Sequence, residues 1–267
     1  MSAQTFLEAA ILGVLEGLTE YLPVSSTGHL ILLADLIGFS GPPGRVFEVV
    51  IQLGAILAVC VVYAPKLARV AFGLSTDPGA QRFALAILLA FLPAVVLGVL
   101  LHGFIKSVLF SPYVVCVALI LGGVAILVIE RARPNPRIDT IERFPPALSV
   151  GIGLMQCLAM VPGVSRSAAT ILGALLLGVE RKTAAEFSFF LAIPTLLGAA
   201  VYDLWQNRAG LTADGGLIVA IGFLAAFVTA LLVVRWFVGF VGRHGFSPFA
   251  WYRIALGSAL LIALLLR

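Results

Sequence analysis

Charge is scarce in this sequence. Asp, Glu, Lys and Arg make up 11% of its 267 residues, against roughly a quarter in soluble domains. A chain so poor in charge, with 61% hydrophobic residues and a mean hydropathy of +1.12, cannot cover a water-facing surface. It is read as an integral membrane protein, and its repeated long apolar runs imply several spans. The strand-like alternation of an outer-membrane barrel is missing, so the spans are helices. Cysteine is nearly absent as well. Cys60, Cys116 and Cys157 lie inside apolar segments without metal spacing, so they read as buried free thiols and imply no disulfide framework. There is no nucleotide loop, zinc motif or haem motif. A basic stretch followed by a cleavage site is missing from the N-terminus, and Glu8, Glu16 and Glu20 interrupt its apolar character, so no cleaved signal peptide is expected. The net charge of +4 comes from basic residues scattered over short loops, which argues against nucleic acid as a partner.

Against this background two polar islands stand out. The first is Glu16-Gly-Leu-Thr-Glu20-Tyr-Leu-Pro23-Val-Ser25-Ser26-Thr27-Gly28-His29, and the second is Pro162-Gly-Val-Ser165-Arg166-Ser167-Ala-Ala-Thr170. Ionisable groups at the bilayer centre cost roughly 2.5–3.5 kcal/mol each on insertion scales, so clusters of them mark functional sites. The two islands are expected to meet in space and form one site for a phosphorylated lipid.

Taken in order, residues 5–21 have helical periodicity and Pro23 ends the segment. Ser25-Ser26-Thr27 caps a new helix that closes at Gly38. Each half is too short to cross ~30 Å of hydrocarbon, so the pair describes a re-entrant hairpin over about 5–38 with its bend buried in protein. Full spans are predicted at about 47–64, 83–101 and 112–130. A polar loop from Arg131 to Pro146 bisects the chain. After it the opening pattern recurs as a second hairpin over about 147–180, followed by spans at about 184–202, 215–234 and 248–266. The fold class is therefore an all-α polytopic membrane protein with six transmembrane helices and two re-entrant hairpins. Its single membrane domain, 1–267, divides into repeats at 1–130 and 147–267. Leu22-Pro23-Val24-Ser25-Ser26 resembles Val161-Pro162-Gly163-Val164-Ser165 with one residue inserted, and Phe47-Glu48 resembles Ala185-Glu186-Phe187.

Orientation follows from the loop cations. Lys66, Arg69, Arg82, Arg131, Arg133, Arg137, Arg143, Arg181, Lys182, Arg235 and Arg243 fall on one side, and Arg45, Lys106, Arg208 and Arg267 on the other. The first side is then cytoplasmic and both termini face out. Three spans separate the hairpins, so the repeats have inverted topology, an arrangement that places sites near the midplane between repeats.

Glu16 and Glu20, four residues apart, share a helical face. Two close carboxylates in low dielectric do not both ionise freely unless a cation lies between them or one takes a proton. They could hold a divalent metal, act in acid–base chemistry, or bond backbone freed at the bend. Ser25, Ser26 and Thr27 are ordinary capping residues whose weight comes from their company. His29, three residues past Ser26, could deprotonate a hydroxyl, protonate a leaving group or attack phosphorus itself. Arg166 needs an anionic partner, and its guanidinium matches two phosphoryl oxygens. Ser165, Ser167 and Thr170 surround it at a helix N-terminus, which together make an anion site; an Arg166–glutamate pair without ligand is the structural alternative. Glu48, Gln52 and Glu186 either line the cavity or hold the repeats together. Asp35 reads as wetted, Arg253 as structural and His102 as interfacial. Gly122, Gly123, Gly151 and Gly153 read as sites of close helix packing.

The two islands resemble the signature motifs of the bacterial undecaprenyl-diphosphate phosphatases of the bacitracin-resistance type, and the resemblance covers nearly the whole chain. Phe47-Glu-Val-Val-Ile-Gln-Leu-Gly54, Ala185-Glu-Phe-Ser188 and Ser247-Pro-Phe-Ala-Trp-Tyr-Arg253 fit it too. The resemblance implies removal of the terminal phosphate from a C55 isoprenyl diphosphate, which regenerates the monophosphate carrier of cell-wall synthesis. It further implies a divalent cation, Mg²⁺ or Ca²⁺, a site open to the outer face, and often a homodimer. It carries over Glu16, Glu20, Ser26, His29 and Arg166 as the functional set. Ser26 leads as nucleophile, with His29 and metal-bound water left open. The rival expectation is a transporter of an anion or lipid carrier, since broken helices in inverted repeats are also a transporter architecture.

Overall fold

The computed structural model describes residues 3–39, 46–104, 111–206 and 215–266. Arg45, Lys106, Arg208, Arg267 and the side chain of His102 lie outside what it describes. Among the described residues the chain is helical throughout, apart from one isolated bridge between Ile138 and Val179. The helices are α1 (Ala3–Thr19), α2 (Ser26–Ile37), α3 (Val46–Val62), α4 (Ala64–Gly73), α5 (Pro78–Phe104), α6 (Pro112–Ala132), α7 (Pro146–Gln156), α8 (Arg166–Leu176), α9 (Arg181–Gln206), α10 (Gly216–His244) and α11 (Ser247–Leu265). Five of them are long and apolar enough to cross a membrane, and six if α3 and α4, bent by 76°, count as one. Leucines and valines on their outer faces, such as Leu88, Leu121, Val128 and Leu232, are exposed, as a lipid-facing surface requires. The chain is a multi-pass membrane protein.

Small residues set the helix spacing. A Cβ on Gly17 of α1 would lie 2.5 Å from the Ala226 carbonyl oxygen of α10, and one on Gly54 of α3 would lie 2.6 Å from that of Phe223. Gly153 of α7 meets Ala90 of α5 in the same way, with its Cβ position 2.9 Å from the Ala90 Cα. These glycines permit backbone-to-backbone packing of α10 on α1 and α3, and of α5 on α7. α6 pairs with α11, and α3 with α9. The expected close packing at Gly122 and Gly123 is present as well: a Cβ on Gly123 would lie 2.7 Å from the Ala250 carbonyl oxygen, and one on Gly122 would collide with the guanidinium of Arg253.

Two of the helical segments are broken, and the breaks are built alike. α1 ends at Thr19 and α2 begins at Ser26, with Ser25 as N-cap accepting from the Gly28 N–H at 3.4 Å. α7 tightens into a 3₁₀ turn at Cys157–Met160, and α8 then starts at Arg166, with Ser165 as N-cap accepting from the Ala168 N–H at 3.2 Å. Both cap residues have positive φ, 73° at Ser25 and 76° at Ser165, and they are the two such non-glycine residues among those described. Backbone held there costs of the order of 1–3 kcal/mol each.

Arg253 of α11 holds both breaks. It is fully buried. Its Nη1 donates to Pro23 O at 3.0 Å and Val164 O at 2.9 Å, and its Nη2 to Gly163 O at 2.9 Å and Ala118 O at 3.1 Å. Nε reaches Leu119 O at 3.3 Å. Carbonyls freed at a helix break have no water to turn to inside a bilayer, and here one cation satisfies those of both bends and ties them to α6. The structural role expected of Arg253 is thus observed.

Two sequence expectations need correction. The stretch after residue 62 was expected to be a loop, but it forms α4, a helix without a fully buried residue. Tyr63 ends α3 and Pro65 opens the new axis, so the chain turns sharply instead of continuing the span. The Arg131–Pro146 segment is also not uniformly polar in placement. A 3₁₀ turn at Ile141–Arg143 buries Ile141 and Phe144 in the main core beside Phe187, because the run of charges hides two apolar anchors. The thiols of Cys60, Cys116 and Cys157 are free, as expected.

Replacing Arg253 by Ala should uncover acceptors at both bends and cost about 3 kcal/mol or more, seen as a lower Tm in detergent micelles. Arg253→Lys should not restore it, because a single ammonium cannot serve both bends. Gly122→Val, which displaces the guanidinium without removing it, should lower Tm in the same sense. An unchanged Tm in Arg253→Ala would refute this account of the fold.

Candidate active site

Glu20 is the first residue past the end of α1 and keeps helical register, since its N–H donates to Glu16 O at 2.9 Å. Both carboxylates therefore leave the backbone on the same side. They are buried, Glu16 completely. The two islands do meet, at Glu20. Its Oε2 accepts from Ser26 Oγ at 2.5 Å, and its Oε1 accepts from Arg166 Nη2 at 3.1 Å and Nε at 3.3 Å. One carboxylate thus joins the α1–α2 break to the start of α8. Ser167 Oγ strengthens the junction by donating to Leu22 O at 2.7 Å.

Arg166 is positioned from three sides. Its Nη1 donates to Ser188 O at 2.9 Å, its other edge is held by Glu20, and its guanidinium carbon lies 6.0 Å from the centroid of the Tyr21 ring. Tyr21 is itself fixed by donating to Ala55 O at 2.8 Å. Thr170 Oγ1 lies 2.8 Å from Ser188 Oγ, which locks α8 to α9 beneath the arginine.

The Glu20–Ser26–Arg166 cluster forms part of the wall of a cavity of about 570 Å³. Ser25, Thr27, Gln52 and Ser165 complete its polar end. The remainder is largely apolar, with Phe91, Val95 and Val99 from α5, Met160 from the 3₁₀ turn, and Leu196 and Ala199 from α9. The N-termini of α2 and α8 lie at this polar end, and the first-turn N–H groups of a helix have no partners within it. Gln156, Thr195, Tyr202 and Asp203 add further polar groups to the lining.

Not every residue expected at the site faces the cavity. Ser167 and Thr170 are fully buried and spend their hydroxyls on structure, Thr170 bonding to the carbonyls of Arg166 and Ser167. His29 is turned away from Ser26. Its Nδ1 lies 2.8 Å from Ser25 O, a carbonyl that can only accept, so Nδ1 carries the proton. Nε2 is then the acceptor for Tyr252 Oη at 2.6 Å. The imidazole holds the left-handed Ser25 backbone, and the carboxylate beside Ser26 is that of Glu20. Helical spacing placed His29 near Ser26 but could not fix which way the ring turns. Gln52 lines the cavity, whereas Glu186 accepts from Tyr63 Oη at 3.3 Å and ties α9 to the end of α3. Asp35 is exposed.

Ser188, Tyr252 and Gln156 were missed in the sequence because nothing local marks them. Their partners come from other helices.

The donor set tests whether a divalent cation fits. Both oxygens of Glu16 are buried and receive no hydrogen bond from the protein, which leaves a hard oxygen donor unspent beside Glu20. Among the described residues no three His, Cys, Asp or Glu side chains cluster as a metal site. A cation here would therefore take its remaining oxygens from ligand and hydroxyls, as Mg²⁺ or Ca²⁺ commonly does with phosphates. Glu16 is fully buried behind the cavity wall, so such an ion would reach it only past Glu20.

The family model described as "Bacitracin resistance protein BacA" matches residues 9–259. The chain is 58% identical to "Undecaprenyl-diphosphatase 2" of Paramagnetospirillum magneticum, across 98% of this chain and 100% of that protein. It is 59% identical to "Undecaprenyl-diphosphatase" of Parvibaculum lavamentivorans over 98% of both chains. With "Undecaprenyl-diphosphatase 1" of Agrobacterium fabrum it shares 53% identity over 99% of both. The chain therefore belongs to the BacA bacitracin resistance protein family.

Proposed function

We propose that this protein is a membrane phosphatase that hydrolyses undecaprenyl diphosphate to undecaprenyl phosphate and inorganic phosphate. This recycles the cell-wall lipid carrier and confers bacitracin resistance. The observation that carries the reading is the sharing of Glu20 between the Ser26 hydroxyl and the Arg166 guanidinium in the wall of a cavity whose lining is otherwise largely apolar. Phosphoryl transfer uses a base, a nucleophile and a fixed cation together; a transporter of anions needs the cation alone.

In this mechanism the terminal phosphate enters between the N-termini of α2 and α8, and Arg166 clamps two of its oxygens. Ser26 Oγ attacks phosphorus and passes its proton to Glu20, while the phosphorus–bridging oxygen bond breaks and the lipid monophosphate leaves. Water then attacks the phosphoserine; the phosphorus–Oγ bond breaks, Ser26 Oγ takes back the proton from Glu20, and inorganic phosphate leaves carrying the protons of the water. A divalent cation held by Glu16, with Glu20 alongside, would neutralise charge on the phosphoryl oxygens. Ser25, Thr27 and Ser165 supply hydroxyls and cap geometry around the phosphate. Ser167, Thr170 and His29 support it as positioning residues.

The architecture behind this site is an inverted-topology repeat, 1–130 and 147–267, within one membrane domain. The α1–α2 and α7–α8 pairs are its re-entrant hairpins. Several features support this. The same interval separates Ser25 from Ser165, Gly38 from Gly178 and Phe47 from Phe187, and the two glycines also share positive φ, 67° and 83°. The packing has the matching symmetry: α10 covers the first hairpin helix as α5 covers α7, while α3–α9 and α6–α11 pair across the repeats. The cavity involves the later parts of α5 and α9, at Val95–Val99 and Leu196–Asp203. Those helix ends lead to the lysine- and arginine-poor side, so the site opens outward and both termini lie outside. A homodimer of this chain belongs to the same reading.

Purified protein should release phosphate from a polyprenyl diphosphate. Arg166→Ala and Glu20→Gln should each lose ~10²–10⁴-fold in rate, with a lower Tm because each strips one partner from a buried ion pair. Rapid quenching should trap a phosphoenzyme in wild type that Ser26→Ala cannot form. Full activity in either of the first two variants would sink the site assignment, and lipid translocation without phosphate release would favour the transporter. Chelation should abolish activity, Mg²⁺ or Ca²⁺ should restore it, and Glu16→Gln should raise the cation concentration needed by ~10-fold or more; an unshifted requirement would remove Glu16 from the metal site. A reporter active only outside the cytoplasm should work when fused at either terminus, and its silence at both would reverse the topology.

A further inference from the structure

The cavity has a second polar feature that the reaction as described leaves unused. Gln156 is the last residue of α7 and is 2% exposed. Its Oε1 accepts from Thr195 Oγ1 at 3.3 Å, while its Nε2 is buried with no hydrogen-bond partner. Thr195 follows Pro194, the proline inside α9, and its one hydroxyl proton is shared between Gln156 Oε1 and Leu191 O, the latter 2.8 Å away. The amide is thus gripped at one end and unmet at the other. Four described residues carry buried side-chain atoms without partners, namely Glu16, Ser149, Gln156 and Arg181. Of these, Gln156 is the one that lines the cavity.

A buried donor without a partner is costly, and native structures keep few of them. An unmet donor in the wall of a ligand cavity is explained if the ligand meets it. The substrate of the proposed reaction carries two phosphates, and Arg166 with the two helix N-termini accounts for the terminal one. The lipid-linked phosphate must then lie toward the apolar walls, where Met160, Leu196 and Phe91 are neighbours of Gln156 in the cavity lining. A neutral amide suits that position. It donates to an anionic oxygen without holding the lipid monophosphate after cleavage as tightly as a cation would. The repeat adds a second observation. Gln156 lies six residues before Pro162 and Glu16 seven before Pro23, so each half places one unpartnered polar side chain at nearly the same depth ahead of its break.

We infer that Gln156 is a substrate-binding residue that donates from Nε2 to the phosphate remaining on the lipid, and so favours a diphosphate over a monophosphate headgroup. The inference rests on the phosphatase reading above. The test uses full-length protein with Gln156→Leu, Gln156→Met and Gln156→Glu. Michaelis parameters are measured on a polyprenyl diphosphate, together with inhibition by the polyprenyl monophosphate and Tm. Gln156→Leu and Gln156→Met should raise KM ~10-fold with kcat within about two-fold, and should weaken inhibition by the monophosphate by a similar factor. Their Tm should be unchanged or higher, because an unmet buried donor has been removed. Gln156→Glu should lose ~100-fold or more in kcat/KM by setting an anion against the phosphate. An unchanged KM in both apolar variants, or a lower Tm in both, would overturn the inference and make Gln156 a packing residue. Absence of phosphate release by wild type would instead overturn the phosphatase reading itself.

Discussion

A single guanidinium conditions everything at the site. Two helix breaks inside a membrane protein expose carbonyls that neither lipid nor their own helices can satisfy. Arg253 takes those of Pro23, Gly163 and Val164 and anchors them to Ala118 and Leu119 of α6. The same bonds bring the breaks within one side chain of each other, which is why Glu20 can reach Arg166. A buried arginine without a carboxylate partner would be expensive on its own. Here five carbonyl acceptors surround it, and its demand for all of them makes the geometry of the bends stiff. The strained φ values at Ser25 and Ser165 persist because the surroundings over-determine them.

The Glu20–Arg166 pair follows from that junction and gives the site its charge balance. A buried ion pair contributes little net stability, because desolvation consumes most of the attraction. Its significance lies in what each partner is ready to do. Arg166 keeps Ser188 O and Glu20 as partners while its guanidinium still lines the cavity. Glu20 keeps one oxygen on the arginine and the other on Ser26. A phosphoryl group entering the cavity would compete for the arginine and leave the Ser26–Glu20 bond in place. Phosphoryl transfer rewards such positioning and charge neutralisation more than new covalent chemistry.

Much of this was legible in the sequence, and the legible part has a common cause. Glu16, Glu20 and Arg166 announced themselves because charge is costly among apolar residues, and the serines because they follow prolines that end half-length helices. The six span positions came from run length alone, and each corresponds to a helix, although α3 turns at Tyr63 into α4 before it completes a span. What stayed hidden depends on contacts between distant segments. His29 looked like a base for Ser26 by spacing, yet its second partner is Tyr252, 223 residues away. The role of Ser188 needs α8 docked on α9. Ile141 and Phe144 sit among charges in sequence and in the core in space, since hydropathy averages over neighbours that point opposite ways.

The likeness of the two breaks also accounts for how one backbone device yields a catalytic pair. Ser25 and Ser165 have nearly the same φ, cap the same position of their helices and lie a constant interval apart with Gly38 and Gly178. The next residue in each half is thus presented at an equivalent place, the first position of a helix entering the junction. In one half that residue is Ser26 and in the other it is Arg166. Two serines there would offer nucleophiles without a fixed cation, and two arginines would leave Glu20 facing two cations with no nucleophile. The two breaks are alike in backbone and unlike in side chain at that one position, as the proposed mechanism requires. Glu20 reinforces the asymmetry, because its counterpart ahead of the second break is an apolar stretch ending in Met160-Val161. One carboxylate therefore serves both helices, bonding Ser26 at the start of one and Arg166 at the start of the other.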